Sequence, residues 1–390
     1  MAINDHAYIV GAYEHPLRYA PDHSVARLHA EVAKGAVEDA GLSKDDIDGF
    51  FCAGDAPGAN PWSLANYLNL RKLKYLDSTD MGGCSYLMHV AHAAQAIAAG
   101  RCNVALITLA GRPRSEGISG TQVRVRGANL PESPYEMSYR PVTLNLYAMC
   151  AMRHMYEFGT TPEQLAWVKV AASRHARHNP NAMLRKPVSV EEVLASPLIS
   201  DPLHRLDSCV VTDGGGAIVV ARAEVAAQLH RPRIRIKGYG ETTKHQDAGK
   251  IDLTYTGQAW SGPRAFEAAG VGPGDIQYAS IYDSFTITVL LQLEDLGFCK
   301  KGEGGRFVQD GNLVAGIGRM PVNTDGGGLC NNHPSNRGGM TKIIEAVRQL
   351  RGEAHPELQV PGCALALASG IGGAIGHRHG AATLIMEREA

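Results

Sequence analysis

One pattern constrains this chain more than any other: it is written twice. Near the start, an amphipathic helix (Ser24 to Ala40) ends at Gly41, passes through the acidic turn Ser43-Lys44-Asp45-Asp46-Ile47-Asp48, and enters an apolar strand (Gly49 to Ala53). Far downstream, a helix (Pro263 to Ala269) ends at Gly270, passes through Gly272-Pro273-Gly274-Asp275-Ile276, and enters the strand Gln277 to Tyr282. Helix, glycine stop, acidic turn and strand occur in the same order both times. The next units repeat as well. Thr79-Asp80-Met81-Gly82-Gly83 precedes a helix and the strand Asn103 to Leu109; Thr324-Asp325-Gly326-Gly327-Gly328 precedes the helix Met340 to Leu350 and the strand Ala364 to Ala368. A period of about 245 residues is far too long for a solenoid, so the pattern implies duplication of one α/β unit. Runs of apolar strand alternating with helices imply layered sheets covered on both faces. The expected halves are 1–230 and 231–390. A polar, arginine-rich segment at about 111–200 reads as a loop domain inserted in the first half, either a solvated face or, through Arg124 and Arg126, a contact for a phosphate-bearing cofactor.

Bulk composition excludes several classes. A net charge of −1 argues against a general binder of nucleic acid or anionic membrane. The first residues show no basic start followed by an apolar run, and no stretch reaches the roughly 18 apolar residues of a membrane span. A cytoplasmic protein is expected. The eight cysteines form no CxxC pair, which implies neither a zinc ribbon nor a redox dithiol. His377 and His379 alternate on a late strand with no further ligand in sequence reach, so no metal site is expected.

The candidate chemistry lies on the repeated turns. Cys84 follows Gly82-Gly83 directly before the small-residue helix Ser85 to Ala98. Read functionally, the start of a helix favours a thiolate, and Cys84 is a nucleophile; read structurally, it is a small buried apolar residue. His333, in Asn331-Asn332-His333-Pro334, follows the equivalent turn of the second half. The duplication would bring Cys84 and His333 onto facing loops, where a Cys and a His in hydrogen-bond reach make an activated nucleophile. Tyr282-Asp283-Ser284-Phe285 ends a strand, where α/β sheets present site residues. Ser369-Gly370-Ile371-Gly372-Gly373 follows the last long apolar strand and reads as a turn or as a source of oxyanion-binding N–H groups from Gly370, Gly372 and Gly373. Gly214-Gly215-Gly216 is not a dinucleotide fingerprint.

Five stretches carry a family resemblance: GGCSYLMHVAHAAQAIAAG, DPLHRLDSCVVTDGGGAIVV, YDSFTITVLLQLEDLGFCKKGEGG, PVNTDGGGLCNNHPSNRGGMTKIIEAVRQLRGE and SGIGGAIGHRHGAATLIMER. Over its full length the chain resembles the thiolase superfamily, most closely the sterol-carrier-protein and lipid-transfer-protein-like branch. That resemblance implies a duplicated α/β fold with five layers, αβαβα. It maps Cys84 onto the acylated nucleophile and His333 onto the histidine of the G-H-P motif, with Asn332 where the family has glycine. It places Tyr282-Asp283-Ser284-Phe285 at the N-E-A-F or H-D-C-F position. Ser284 stands where the branch can have cysteine, and the cysteine of the C-terminal C-x-G motif is absent. Cys330 is the one cysteine beside a recognised motif that would replace it.

The function implied is reversible thiolysis of a 3-oxoacyl-CoA through a Cys84 acyl-enzyme, with coenzyme A as co-substrate and no tightly bound cofactor. The acyl group expected is aromatic or dicarboxylic, as in the two-subunit benzoylsuccinyl-CoA thiolases. Because the second cysteine is missing, two alternatives stand beside it: a retro-aldolase that cleaves a 3-hydroxyacyl-CoA and uses Tyr282, and a non-catalytic lipid-transfer or scaffold protein. The branch also implies a homodimer core with a small zinc-ribbon/OB-fold partner subunit.

Overall fold

The computed structural model describes residues 6–54, 56–118, 131, 133–139, 142–245, 250–335 and 337–389. Arg124 and Arg126 lie outside the described residues. The strands are β1 (Ala7–Glu14), β2 (Gly49–Cys52), β3 (Tyr75–Asp77), β4 (Val104–Gly111), β5 (Leu198–Ser200), β6 (Leu203–His204), β7 (Gly214–Arg222), β8 (Ile234–Lys244), β9 (Tyr278–Ile281), β10 (Leu365–Ala374) and β11 (His377–Arg388). Strands β5 and β6 form a small ribbon; the other nine form one sheet in the order β3-β2-β4-β7-β1-β8-β11-β10-β9.

Read outward from the seam between β1 and β8, the order repeats. On one side β1 pairs with β7 and β7 with β4, both antiparallel, and β4 pairs with β2 in parallel. On the other side β8 pairs with β11 and β11 with β10, both antiparallel, and β10 pairs with β9 in parallel. Beyond β2 lies parallel β3; beyond β9 lies the parallel bridge Ala279↔Val322. The seam holds only two residue pairs, Tyr8↔Arg235 and Ile9↔Ile234. Strands β4, β7 and β10 are buried almost throughout, as strands covered on both faces must be.

The helices supply that cover. The Ser85–Ala98 and Gly339–Arg351 helices are buried nearly all round. They share one apolar cluster with Ile107 and Ile218 of the first side and Ala366 and Leu384 of the second, so they lie between the two halves of the sheet. The Val25–Asp39 helix packs outside the first half through Val32, Ala36 and Val37. The Gln258–Ala269 and Thr286–Asp295 helices pack outside the second. The result is helix, sheet, helix, sheet, helix. Glycine allows the closest approaches: a Cβ at Gly11 would lie 2.2 Å from the Ala36 carbonyl oxygen, and one at Gly240 would lie 2.0 Å from that of Ser261.

Three local expectations change. The second outer helix begins at Gln258, with Pro263 inside it, not at Pro263. Gln258 donates from Nε2 to the Gly370 carbonyl at 2.8 Å, which ties the added first turn to β10. Ser369 to Gly373 is not a turn after a strand but the continuation of β10, paired with β11 from Ser369↔Thr383 to Gly372↔Gly380. Beyond residue 142 the segment at 111–200 is built mainly on the helices Thr143–Phe158 and Pro162–Ala176. The second of these packs on the second half, with Val168, Ala171 and Ala172 in one cluster with Val322 and Leu329. Among the described residues no helix is long and apolar enough to cross a membrane.

Candidate active site

The site is built on one turn used twice. In the first copy Asp80 Oδ1 accepts from the Gly82 N–H at 3.1 Å; in the second, Asp325 Oδ1 accepts from the Gly327 N–H at 2.9 Å. Gly82 and Gly327 take positive φ, +68° and +62°, which glycine does without strain. The first copy leads through Cys84 into the Ser85–Ala98 helix. The second leads through a π-turn, Gly327–Asn331, to His333.

Arginines cross between the copies. Arg337, just past His333, binds Asp80 with both terminal nitrogens (Nη2 to Oδ2 at 3.0 Å) and also reaches the Gly82 carbonyl. Arg18, from the first half, donates to the Asn331 carbonyl and to its side-chain Oδ1, at 3.2 and 2.8 Å. Asn331 Nδ2 in turn donates to Asp325 at 2.9 Å. The two turns therefore face each other, as the duplication implies. Gly339 presses on the first of them: a Cβ there would lie 2.0 Å from the Gly83 carbonyl oxygen.

Cys84 is fully buried, and its Sγ donates to the Met81 carbonyl at 3.1 Å. Burial pushes the thiol up to about 12, and the Glu241 carboxylate adds to the rise while Arg337 offsets part of it. Desolvation thus outweighs the start of the helix, and the expected lowered thiol is corrected. No hydrogen bond joins Cys84 to His333 among the described residues. Instead His333 Nε2 lies 3.0 Å from Tyr282 Oη, with the rings edge-on at 5.5 Å. Tyr282 Oη also accepts from the Gly338 N–H at 3.2 Å, and the tautomer of His333 sets which partner donates in the bond between them. Burial, then the nearby Lys342 charge, hold His333 down at about 3, so the imidazole is neutral. Burial also raises the Tyr282 phenol.

The backbone of His333 is fixed by a chain reaching into the first half. Its N–H donates to Thr212 Oγ1 at 2.9 Å, and Thr212 Oγ1 donates to Asn332 Oδ1 at 2.6 Å. Asn332 Nδ2 donates to Glu14 at 2.8 Å. Burial alone would raise the Glu14 carboxyl, but Arg18 and Arg348 overcome it and hold it at about 2. Asn332, in the family's glycine position, thereby couples the histidine to a buried anion.

The remaining candidates divide. Ser284 is buried beside Tyr282, and its Oγ has no hydrogen-bond partner among the described residues. Cys330 is not gathered with Tyr282 and His333: it packs in the outer apolar cluster with Leu329 and Val322 and interacts with Lys169, and burial raises its thiol. Gly370 and Gly372 leave room for the Cys84 turn; a Cβ at Gly372 would lie 1.6 Å from the Met81 carbonyl oxygen and 3.2 Å from Cys84 Sγ. Gly373 accepts at its carbonyl from Tyr147 Oη, at 3.2 Å.

Tyr147 escaped the sequence reading. It stacks on Phe285 at 4.8 Å, and no motif marks it. Cys209 escaped as well: its N–H donates to the Ser284 carbonyl at 2.9 Å, which lays it alongside the Tyr282 segment. The arrangement offers a tyrosine–histidine pair at the end of β9, with the Cys84 turn packed against the Tyr282 ring and the thiol itself bonded to Met81. Among the described residues no cluster of His, Cys, Asp and Glu has the makings of a metal site.

Residues 240–388 match the family described as thiolase C-terminal domain-like. The chain is 31% identical to an acetyl-CoA acetyltransferase of Methanothermobacter thermautotrophicus, over 90% of this chain and 92% of that one. It is 35% identical to a steroid side-chain-cleaving aldolase of Thermomonospora curvata, over 84% and 86%. It is 36% identical to the benzoylsuccinyl-CoA thiolase subunit BbsB of Thauera aromatica, over 58% and 59%. The solved structure of the Ltp2-ChsH2(DUF35) aldolase superposes with a TM-score of 0.88 at 30% identity, covering 98% of both chains. Its duplicated layers, its paired turns and these likenesses agree: the chain belongs to the thiolase superfamily, in the sterol-carrier-protein thiolase branch.

Proposed function

We propose that this protein cleaves the Cα–Cβ bond of a 3-hydroxyacyl-CoA by a retro-aldol reaction. The hydrogen bond between Tyr282 and His333, with Cys84 left outside it, carries this reading. Tyr282 Oη takes the proton of the substrate 3-hydroxyl while its own proton passes to His333 Nε2. The hydroxyl oxygen becomes the carbonyl of the departing product. The electrons of the Cα–Cβ bond enter the thioester as an enolate, whose α-carbon regains a proton along the same relay. Among the relatives, the two aldolases named above support the reading. The name of the steroid side-chain-cleaving relative supports a bulky, ring-bearing acyl group. A homodimer core joined by a small second subunit, of the zinc-ribbon/OB-fold kind, completes the proposal; the two-component name of the aldolase structure supports a partner.

Thiolysis of a 3-oxoacyl-CoA is the second reading. It is favoured by the presence of Cys84 at the head of its helix, against Gly372 and Gly380. It needs the thiol released from Met81 and ionised despite its burial.

The test offers the protein, with any co-purifying subunit, a 3-hydroxyacyl-CoA without free CoA. Retro-aldol cleavage yields a carbonyl compound and a shortened acyl-CoA, is lost in Tyr282→Phe and His333→Gln, and persists in Cys84→Ser. Cleavage only of a 3-oxoacyl-CoA, only with CoA, and through a Cys84 adduct establishes thiolysis instead. Neither reaction would leave a binding or transfer role.

A further inference from the structure

Behind the Tyr282–His333 relay lies an ion pair that the reaction as written does not use. Lys342 Nζ stands 2.6 Å from Asp283 Oδ1, and both side chains are about 99% buried or more. Asp283 also accepts from the Gly328 N–H at 2.8 Å and from the Leu329 N–H at 3.2 Å. One carboxylate thus joins three elements: the end of β9 that carries Tyr282, the π-turn that leads to His333, and the Gly339–Arg351 helix. Contact there is tight. A Cβ at Gly328 would lie 3.0 Å from Asp283 Oδ1 and 3.1 Å from His333 Cδ2. A second buried lysine, Lys169, holds the same turn by donating to the Leu329 carbonyl at 2.6 Å.

Stability does not explain this arrangement. Taking two charges out of water costs several kcal/mol per ion on the general scale, and well-packed apolar residues often replace such pairs without loss. Asp283 has its remaining needs met by backbone N–H groups. The Lys342 ammonium has Asp283 as its one partner among the described residues, and its other protons make no hydrogen bond. A buried ammonium with donors unspent, one glycine away from an imidazole, acts on that imidazole through space.

We propose that Lys342 and Asp283 are the positioning pair of this site: Asp283 fixes the His333 turn against Tyr282, and Lys342 sets a permanent positive charge behind the imidazole. The role assigned to the charge rests on the relay described under Proposed function. The charge disfavours imidazolium, so His333 is neutral across the working pH range, and a proton it takes from Tyr282 is held weakly and readily given back when the enolate is protonated. It also favours negative charge on Tyr282 as the substrate proton leaves. The charged and titratable groups facing His333 are Tyr282 and Asp283 from the β9 end and Lys342 from the helix. Farther out, Arg337 is committed to Asp80 and Lys169 to Leu329. Of these, Lys342 is the one whose removal changes the charge behind the ring and leaves Tyr282 in place.

The test compares Lys342→Gln, which can still hydrogen-bond Asp283, with Lys342→Arg, which keeps the charge. Two readouts are taken: the pH–rate profile of 3-hydroxyacyl-CoA cleavage, and the titration of His333 by NMR in protein carrying labelled histidine. Loss of a neighbouring cation raises the basicity of an imidazole. Lys342→Gln is therefore expected to move the His333 titration, and the acid limb of the rate, up by about one pH unit or more, a tenfold loss of rate below the limb. Lys342→Arg is expected to leave both where they stand in the parent protein. A slower Lys342→Gln enzyme with an unmoved His333 titration would overturn the proposal, because a merely structural lysine lowers rate and melting temperature without moving that titration. The NMR arm needs no turnover. A shift without any cleavage of the hydroxyacyl-CoA would refute the retro-aldol reading and keep the charge effect; cleavage without a shift would do the reverse.

Discussion

Replacing Tyr282 by Phe tests the relay at its centre. The ring keeps its place, and only the hydroxyl is removed. That oxygen has two partners, the Gly338 N–H at 3.2 Å and His333 Nε2 at 3.0 Å, both buried. Each buried group left without a partner costs about 1–3 kcal/mol, so Tyr282→Phe should lose about 2–6 kcal/mol of stability. Spread over the unfolding entropy of a 390-residue chain, that lowers the melting temperature by about 2–7 °C. Chemistry suffers more. A positioned proton-transfer group contributes about 10²–10⁴ in rate, equivalent to about 3–5 kcal/mol of barrier. The assay is steady-state cleavage of a 3-hydroxyacyl-CoA at a temperature where both proteins are folded. The expected result is a fall in kcat of at least about a hundredfold with KM little changed, since the hydroxyl acts on the reacting bond. A loss below about tenfold, or one that vanishes on cooling along with the stability deficit, would refute the reasoning.

Other outcomes follow from the same geometry. In the unliganded protein, iodoacetamide should reach the half-buried Cys209 and Cys299 well before the fully buried Cys84; peptide mapping that found Cys84 labelled first would reverse the order of the two functional readings. Gly339→Ala should destabilise the fold by about 3 kcal/mol and abolish turnover, because its methyl meets the Gly83 carbonyl. Gly274→Ala, whose methyl meets nothing, is the control in the same denaturant titration and should be close to neutral. Burial, then Asp325, raises the buried Glu345 carboxyl to about 7. Between its unfolded value near 4.5 and 7 the native state holds a proton that the unfolded chain releases, so this residue makes stability fall as pH rises through that window. Glu345→Gln should flatten that part of the melting-temperature profile; identical slopes would count against the assignment.

Much of the architecture was legible because it follows from patterns within single elements. Gly41 and Gly270 do end equivalent helices at φ +70° and +65°, and the buried runs of β4 and β10 read as covered strands. The facing of the Cys84 and His333 turns was legible too, since a repeated Thr-Asp-x-Gly tetrapeptide marks it. Partner choice was not. Tyr282 and His333 are 51 residues apart, and their hydrogen bond depends on Gly338 and on the helix behind it. The thiol was misjudged because a helix start is visible in sequence whereas desolvation is a property of everything packed around it. Pro263 misplaced a helix start because proline is common in a first turn. Here the preceding turn is anchored from outside, by Gln258 on β10. Cys330 sits near the motif in sequence but points into the outer core, a direction set by the π-turn.

The crossed arginines have a consequence for the molecule as a whole. Arg337 from the second half answers Asp80 of the first, and Arg18 from the first answers Asp325 of the second through Asn331. Each turn is thus held in part by a cation of the other half. The buried Asp325 faces Arg348 of its own half as well as Arg18 across the seam. The buried Glu14 is shared in the same way, between Arg18 at 2.7 Å and Arg348 at 3.0 Å. Parting the halves would take one cation from each of these carboxylates, so the stability of either half depends on the other.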